Sequence, residues 1–497
     1  MGQMTRAPDQ AAEKVPWRDL IWLAVLRAGV SAGVVMYGVV ALSDDDFARV
    51  TIAERFAATP RLDPSGTSWL PFPFWVMGTA MKLLDTSLDV ARLVTGALSV
   101  GATWLLYAAG RAWGFSQRRA LVAAALATIM PAAAILGGMT VPELPTAALA
   151  VFAIVTATAP EPAAAPEPAA GFFTRYRASL LASLAMLAAT LSRYEAWPLA
   201  ASLAVILWRR QRSDARWKRA LIATAPLTGP ALWIAHNRIA HHDALSFLRR
   251  VSSYRAALGP TSGSGPLTYL VGLVGGSPAV MLALALLVVV SFRLLGWAPV
   301  RRNLARFAPW AASAAALVVF LLVGQIAGGA PTHHPERALL FVWLLASLAA
   351  VDLSSVVHVR ALRRRAWIGM AVALLLAFDY RSTLSDVGVR RDNEERVGQQ
   401  LRALVARGER VFAATNDYGY FAIIAAFGRP NDVAIDSHDP RIKSNNTLLR
   451  DPWNAVVRLR AENASWLVAP SNVVFPLALQ ERSRNGPLVI YELNPRN

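Results

Sequence analysis

The chain has 497 residues, of which 55% are hydrophobic, 16% are charged and none is cysteine. Soluble domains are nearer a quarter charged, and the apolar residues here fall in runs of roughly 16–25, about the length of a helix that crosses a bilayer. This composition excludes an ordinary soluble domain, and the lack of cysteine excludes disulfides, zinc fingers and a thiol nucleophile. The net charge of +18 does not indicate nucleic-acid binding, because most arginines lie in short loops between apolar runs.

The apolar runs predict an α-helical polytopic membrane protein of about eleven transmembrane helices. The first run extends from Trp17 to Leu42. The later ones start near Asp89, Ala120, Leu144, Ser179, Ala196, Ala220, Leu267, Phe307, Ala338 and Trp367. Residues 1–380 are therefore predicted to form the membrane domain.

Charge predicts the orientation of these spans. Alternate loops are rich in arginine, for example around Arg118, Arg209 and Arg301, and such loops face the cytoplasm by the positive-inside rule. The N-terminus joins them, so eleven spans place the C-terminus outside the cytoplasm and the protein in the plasma membrane. Residues 70–84 are apolar too, but a span there would reverse every later loop. We therefore predict that the external loop 43–88 contains helices lying in the membrane interface.

Residues 381–497 have the composition of a soluble domain. Short β-strands are predicted at Glu409–Thr415 and Ala464–Pro470, and a helix at Gln399–Ala406. These elements predict a small extracytoplasmic α/β domain.

The first two external loops carry acids at the ends of apolar helices. Asp44, Asp45 and Asp46 directly follow the first span, and Glu143 opens a later one. Such acids are common at solvated helix ends, but a carboxylate at the membrane surface can also act as a base or bind a metal ion. An acid at membrane depth usually has a partner.

Basic and aromatic residues occupy the remaining external loops. Arg193 and Glu195 either form an ion pair or, together with Tyr194, bind a phosphate. In the next loop Arg249 and Arg255, with His242, would suit an anionic ligand, although His241, His242 and Asp243 could instead bind a metal ion. The last loop places His334, Glu336 and Arg337 at the outer mouth of a span. The five loops together predict a polar site at the outer surface.

This ordered set of loops resembles the polytopic GT-C glycosyltransferases, in particular the protein O-mannosyltransferases and the bacterial lipid A aminoarabinose transferases. Asp45-Asp46 followed by Ile52-Ala53 is similar to the acidic motif after the first span. Trp69-Leu-Pro-Phe-Pro-Phe-Trp75 is similar to the interfacial helix, and Val141-Pro142-Glu143 to the acid that opens the fourth span. The chain has Asp-Asp where Asp-Glu is usual and lacks the lysine of the Lys-Pro element, so the sugar stays open.

The resemblance implies that a sugar passes from a polyprenyl-phosphate carrier to an acceptor hydroxyl or amine on the outer face of a bacterial inner membrane, with inversion. The acceptor would be a glycolipid, a polysaccharide or a protein, and no nucleotide cofactor is needed. Asp45 would be the general base, with Asp44 and Asp46 beside it. Arg193, Tyr194, Arg249, Arg255 and Arg337 would bind the donor phosphate.

Further roles remain for the other polar residues. Glu143, Glu195, His242, His334 and Glu336 would contact substrate. A divalent Mg or Mn ion held by Asp46 and Glu143 would assist the leaving phosphate. Two other functions stay open, a transporter or lipid flippase and a non-catalytic scaffold. A transporter needs polar groups near the membrane midplane, whereas these acids lie at the ends of helices.

Overall fold

The computed structural model describes residues 16–160, 172–212, 214–258, 267–327, 335–354, 388–438 and 447–493. Within these, the membrane domain consists of helices and their connecting loops. The helices are α1 Trp17–Met36, α2 Asp44–Ala58, α3 Phe72–Leu83, α4 Leu88–Ala112, α5 Gln117–Ile129, α6 Pro131–Leu136, α7 Glu143–Thr158, α8 Phe172–Thr190, α9 Ala196–Arg210, α10 Arg216–Thr224, α11 Thr228–His241, α12 Ser246–Leu258, α13 Thr268–Gly275, α14 Pro278–Leu295, α15 Trp297–Ala305, α16 Ala308–Ile326 and α17 Pro335–Ser354.

The helix positions agree with the predicted apolar spans. The starts predicted at Asp89, Leu144, Ala196, Leu267 and Phe307 each lie within one residue of the observed start of a helix. Four helices of the described residues are long and apolar enough to cross a membrane, or five if α13 and α14, bent by 76°, count as one span. The total of eleven and the orientation stay predictions, and the span predicted from Trp367 lies outside the described residues.

The loop 43–88, which is predicted to be external, folds as two packed helices, α2 and α3. Helix α3 has 12 residues, which at 1.5 Å per residue gives about 18 Å, short of the roughly 30 Å of a hydrocarbon core. Its length fits the predicted interfacial position. The two helices approach closely at Gly78, where a Cβ atom would lie 2.7 Å from the carbonyl oxygen of Ala53. Only glycine fits this crossing without displacing the backbone of α2.

Arg27 of α1 is a buried cation in the membrane domain. Its guanidinium donates to the carbonyl oxygens of Ala133 and Ala134 at 3.0 and 2.9 Å and to Ser31 at 3.1 Å. These carbonyls belong to the short helix α6, which leads into the loop before Glu143. The side chain is 1% exposed and stabilises α6, rather than extending to the membrane surface as an arginine inside an apolar run commonly does.

The C-terminal domain is α/β, as predicted. Helices α18 Asp392–Leu404, α19 Tyr420–Phe427 and α20 Ala455–Ala461 accompany strands β1 Arg410–Ala413, β2 Val433–Ile435, β3 Ala464–Pro470, β4 Leu479–Asn485 and β5 Leu488–Leu493. The sheet order is β2-β1-β3-β5-β4. Strand β1 is parallel to β2 and β3, whereas β5 is antiparallel to β3 and β4. The boundary predicted at 380/381 lies outside the described residues.

This domain packs directly on the first external loop. Val389 donates to the carbonyl oxygen of Ala41 at 3.0 Å, and Ala422 and Ala425 of α19 pack in one hydrophobic cluster with Val50 of α2. The soluble domain is thus in contact with the helix that begins with the three aspartates, so it can influence their position.

Candidate active site

The three consecutive aspartates at the start of α2 have three different environments. Asp46 is buried and fully bonded. One of its carboxylate oxygens accepts from the amides of Leu42 and Ser43 at 3.0 and 3.2 Å, in a capping box with Ser43. The other accepts from the amide and hydroxyl of Thr140 at 3.0 and 3.2 Å. Burial raises the pKa of Asp46, with Arg337 opposing the effect.

These contacts give Asp46 a positioning role. It fastens the start of α2 to the loop before Glu143, and both of its oxygens are in use. The contacts therefore favour this role over the predicted catalytic and metal-binding ones.

Asp44 turns towards the C-terminal domain. Its two oxygens accept from Nε and Nη2 of Arg391 at 2.9 and 3.0 Å. The same guanidinium donates through Nη1 to Glu394 and Asp417, each at 3.0 Å. Three carboxylates thus share one arginine, and Asp44 is held in a clamp between the two domains.

Asp45 is the exposed member of the triplet. Its side chain makes no hydrogen bond within the described part of the chain, yet its charge acts on Arg49 and Arg193. A solvent-accessible carboxylate with free lone pairs, held between two fixed neighbours, is suited to accept a proton.

Arginines surround one buried carboxylate at the start of α7. Glu143 Oε1 accepts from Nη1 of Arg193 at 2.5 Å and from Nε of Arg337 at 2.8 Å. Arg193 also pairs with Glu195 through Nε at 3.1 Å and Nη2 at 2.5 Å. The structure thus brings together four residues that the sequence singles out from three separate loops, and we call them with Arg49 the arginine cluster.

Arg49 is the member that sequence reasoning missed. It is buried on α2, its guanidinium lies 4.3 Å from the centre of the Trp69 ring, and it interacts electrostatically with Glu143 and Asp45. Burial lowers its pKa to about 10, so it stays charged at neutral pH. Its spacing was the available signal, because Arg49 follows Asp45 by four residues and shares a helix face with it.

Tyr194 belongs to an aromatic wall beside this cluster. Its ring stacks on Phe247 with centroids 4.9 Å apart and meets the edge of Trp197 at 5.2 Å. Its hydroxyl accepts from Trp233 at 3.1 Å. These contacts favour packing over the predicted binding of phosphate.

Other predicted residues do not join the cluster. Arg249 is 73% exposed and pairs with Asp243. His242 is exposed and ends α11 in the left-handed conformation, at φ 55°. The side chains of Arg255 and Glu336, and the whole of His334, lie outside the described residues.

The contacts also bear on metal binding. Oε1 of Glu143 is paired with two arginines and both oxygens of Asp46 are bonded, so the pair Asp46 and Glu143 is a weak candidate for a divalent ion, although Oε2 of Glu143 has no hydrogen-bond partner within the described residues. Asp63, in the loop between α2 and α3, and His236 and His241 of α11 form a separate group, whose potential ligand atoms are all within 4.8 Å of one another.

No protein-family model and no curated protein matches the chain. Solved structures do share its fold. ArnT from Cupriavidus metallidurans bound to undecaprenyl phosphate has a TM-score of 0.57 at 14% identity, over 95% of this chain and 97% of that one. The oligosaccharyltransferase of Archaeoglobus fulgidus in the apo form has a TM-score of 0.50 at 14% identity, over 93% of this chain and 70% of that one.

The archaeal enzyme has also been solved with zinc and sulfate, and, as AglB, with an inhibitory peptide and a dolichol-phosphate. Both matches are 12% identical to this chain and have a TM-score of 0.50. At such identities the likeness establishes the fold. The resemblance to GT-C enzymes that the sequence predicts is thereby confirmed at the level of fold.

Proposed function

We propose that this protein is a glycosyltransferase that moves a sugar from a polyprenyl-phosphate carrier to an acceptor hydroxyl or amine at the outer face of the membrane, with inversion. One observation carries the proposal. An exposed carboxylate, Asp45, lies beside a cluster in which three buried or half-buried arginines, Arg49, Arg193 and Arg337, surround the single buried carboxylate of Glu143.

The arginine cluster would bind the phosphate of the donor. Glu143 and Glu195 hold the guanidiniums in place before the donor arrives, and such preorganised charges are most effective where water is excluded. When the bond between the anomeric carbon and the phosphate oxygen breaks, both bonding electrons leave with the phosphate. The arginines would stabilise the charge that this oxygen gains.

Asp45 would act on the acceptor. The acceptor oxygen or nitrogen forms a bond to the anomeric carbon, and its proton passes to Asp45 as the phosphate leaves from the opposite side. General-base catalysis of this kind contributes typically about 10²- to 10⁴-fold in rate. Asp44 and Asp46 fix the backbone on both sides of Asp45, through Arg391 and Thr140.

The other expectations carry over as parts of this proposal. The protein would lie in the plasma membrane of a bacterium, with its N-terminus in the cytoplasm and its C-terminal domain outside. The donor would be an undecaprenyl-type lipid, since ArnT, which shares the fold, is solved with undecaprenyl phosphate. The acceptor would be a glycolipid, a polysaccharide or a protein, and no nucleotide cofactor takes part. A Mg or Mn ion remains an optional participant in the departure of the phosphate.

The test is sugar transfer in reconstituted membranes from a radiolabelled panel of polyprenyl-phosphate sugars, with an envelope extract as acceptor. Wild type should label the acceptor, and Asp45→Asn should lower the rate by about 10²- to 10⁴-fold. Asp89→Asn is the matched control, because Asp89 is an exposed aspartate at the start of another helix, α4. It should retain the wild-type rate.

Two results would overturn the proposal. Normal transfer by a folded Asp45→Asn protein would remove the base. Absence of transfer by wild type from every donor, with intact folding, would favour the transporter or flippase instead, which flux of a labelled polyprenyl phosphate across the same vesicles would then reveal.

A further inference from the structure

A second group of polar side chains lies outside the arginine cluster. Asp63 belongs to the loop between α2 and α3, whereas His236 and His241 lie in the last two turns of α11. One carboxylate oxygen and one nitrogen from each imidazole come within 4.8 Å of one another, and all three residues are partly buried. Segments far apart in the sequence thus place two imidazoles and a carboxylate around one point.

His236 has a ring nitrogen available to a ligand. Its Nε2 atom is buried and has no hydrogen-bond partner within the described part of the chain, while its ring stacks on Trp233 with centroids 5.2 Å apart. A buried polar atom without a partner costs about 1–3 kcal/mol. A metal ion bonded to this nitrogen would remove that cost.

Asp63 is already oriented as a ligand. Its Oδ1 accepts from the hydroxyl of Ser65 and the amide of Gly66, each at 3.0 Å. These bonds fix the carboxylate and leave Oδ2 to a further partner, as outer-shell hydrogen bonds do for metal-binding carboxylates. Two imidazoles and one carboxylate are a ligand set that zinc accepts, with water in the fourth position.

We propose that Asp63, His236 and His241 form a zinc site that fastens the first external loop to the C-terminal end of α11. Tetrahedral zinc with bonds of about 2.0–2.1 Å brings its ligand atoms to roughly 3.3 Å from one another, so small side-chain rotations complete the site. The chain has no cysteine, and zinc must therefore be held by histidine and carboxylate.

The site would hold a loop that contacts Arg49 of the arginine cluster through Trp69. Arg250 of α12 already donates to the carbonyl oxygen of Gly66, so the same loop has one attachment to α12. Trp69 follows Gly66 by three residues, and its ring lies over the guanidinium of Arg49. Zinc would thus fix the position of Trp69. This role is structural and does not depend on which reaction the protein catalyses.

Zinc binding tests the proposal directly. Full-length protein without an affinity tag is purified in detergent, stripped with a chelator, and titrated with zinc against a chromophoric competitor. Wild type should bind one zinc ion. Asp63→Asn, His236→Gln and His241→Gln should each weaken binding by about 100-fold or more, exceeding the roughly 10- to 100-fold cost of losing an outer-shell partner.

His242→Asn is the matched control, because His242 adjoins the site in sequence but is not in the group. Asn tolerates its left-handed backbone, so this variant should bind zinc as wild type does. Equal zinc binding by wild type and all three ligand variants, or none by wild type, would overturn the proposal.

Trypsin cleavage of the wild-type protein, with and without zinc, gives a second readout that does not depend on the folding of any variant. Arg61 is exposed in the same loop, two residues before Asp63. Zinc should slow cleavage after Arg61 by about tenfold or more in wild type. A ligand present well above its Kd, and bound only by the ordered loop, lowers the population of the loop conformation that trypsin can cleave. Cleavage at the same rate with and without zinc, in protein shown to have bound it, would exclude the proposed fastening.

Discussion

Two networks of arginine and carboxylate contact the start of α2, and they have opposite compositions. In the arginine cluster, Glu143 is shared by Arg193 and Arg337, with Arg49 nearby. At the domain junction, Arg391 is shared by three carboxylates, those of Asp44, Glu394 and Asp417. The first network has three arginines against two glutamates, Glu143 and Glu195, whereas the second has three carboxylates against one arginine.

The ratio decides what each network can do. Buried arginines in excess over their carboxylate partners leave positive charge that an anionic ligand can balance. This fits the proposed phosphate-binding site. An arginine saturated by carboxylates has no capacity left for a ligand, so it indicates a mechanical link. Neighbouring acids of one motif, Asp44 and Asp45, therefore have different surroundings although they are adjacent in the sequence: Asp44 is paired with Arg391, and Asp45 is exposed.

The largest effect on stability should follow from removing the central acid. Glu143→Gln leaves the guanidiniums of Arg193 and Arg337 without their shared buried charge, and breaking a buried pair in this way typically costs about 3–5 kcal/mol. Thermal unfolding in detergent, followed by intrinsic tryptophan fluorescence, should show a clearly lower Tm than wild type.

Glu195→Gln is the control for this variant. Its side chain is 21% exposed, against 0% for Glu143, so water can compensate for part of the loss and the fall in Tm should be smaller. If the two variants unfolded at the same temperature, the central place assigned to Glu143 would be wrong.

The next effect concerns binding of the donor. Arg337→Gln should raise the KM for the polyprenyl-phosphate sugar by about 10- to 150-fold, the equivalent of a charge-assisted hydrogen bond of about 1.5–3 kcal/mol. Arg249→Gln should change KM by less than about twofold, because its exposed ion pair with Asp243 contributes little. Steady-state kinetics distinguish the two variants. An equal rise in KM for both would show that Arg249 also contributes to donor binding.

The domain clamp should give a smaller energy. A double-mutant cycle with Arg391→Gln and Asp44→Asn, measured by chemical denaturation, should yield a coupling of about 1–2 kcal/mol, since the groups share a buried network. The pair Arg402 and Asp85 also joins the two domains but is largely exposed. It should couple by only about 0.2–1 kcal/mol, and a larger value there than at Arg391 would contradict this interpretation.

Local features of the sequence predicted the fold well. Apolar runs predicted the helices, because length and hydropathy are properties of a single segment, and β1 and β3 fall within the short apolar segments predicted as strands. The acids at helix ends and Arg193 and Arg337 were identified because charges beside apolar runs are conspicuous. Their grouping around one carboxylate was only a general expectation of a polar outer surface.

What the sequence could not predict were partners chosen by packing. Arg391 binds Asp44 across 347 positions, and nothing in either local segment indicates the other. Arg27 lies inside an apolar run, where an arginine side chain commonly extends to the membrane–water interface. Instead its guanidinium donates to backbone carbonyl oxygens of α6. Arg249 resembles Arg337 in the sequence, and burial alone separates them.

A pH-dependent effect is expected at Glu54 of α2, which contrasts with both networks. It is fully buried, and within the described residues neither carboxylate oxygen has a hydrogen-bond partner. Burial raises its pKa well above the usual value; Arg402 and Arg55 oppose this and Asp85 adds to it. Glu54 therefore stays protonated in the folded protein at pH values where the unfolded chain, with a pKa of about 4.3, has lost the proton.

The sign of the pH dependence follows. A raised pKa in the folded state costs nothing below about pH 4.3, and the cost grows as pH rises from there to the folded pKa. Glu54→Gln replaces a neutral acid by a neutral amide of the same shape, so it should remove this decline and unfold at a higher temperature than wild type at alkaline pH. Unfolding measured from pH 5 to 9 checks it. Parallel curves for the two proteins would show that Glu54 is ionised within the fold, and hence that a cation, as in the arginine cluster, compensates it.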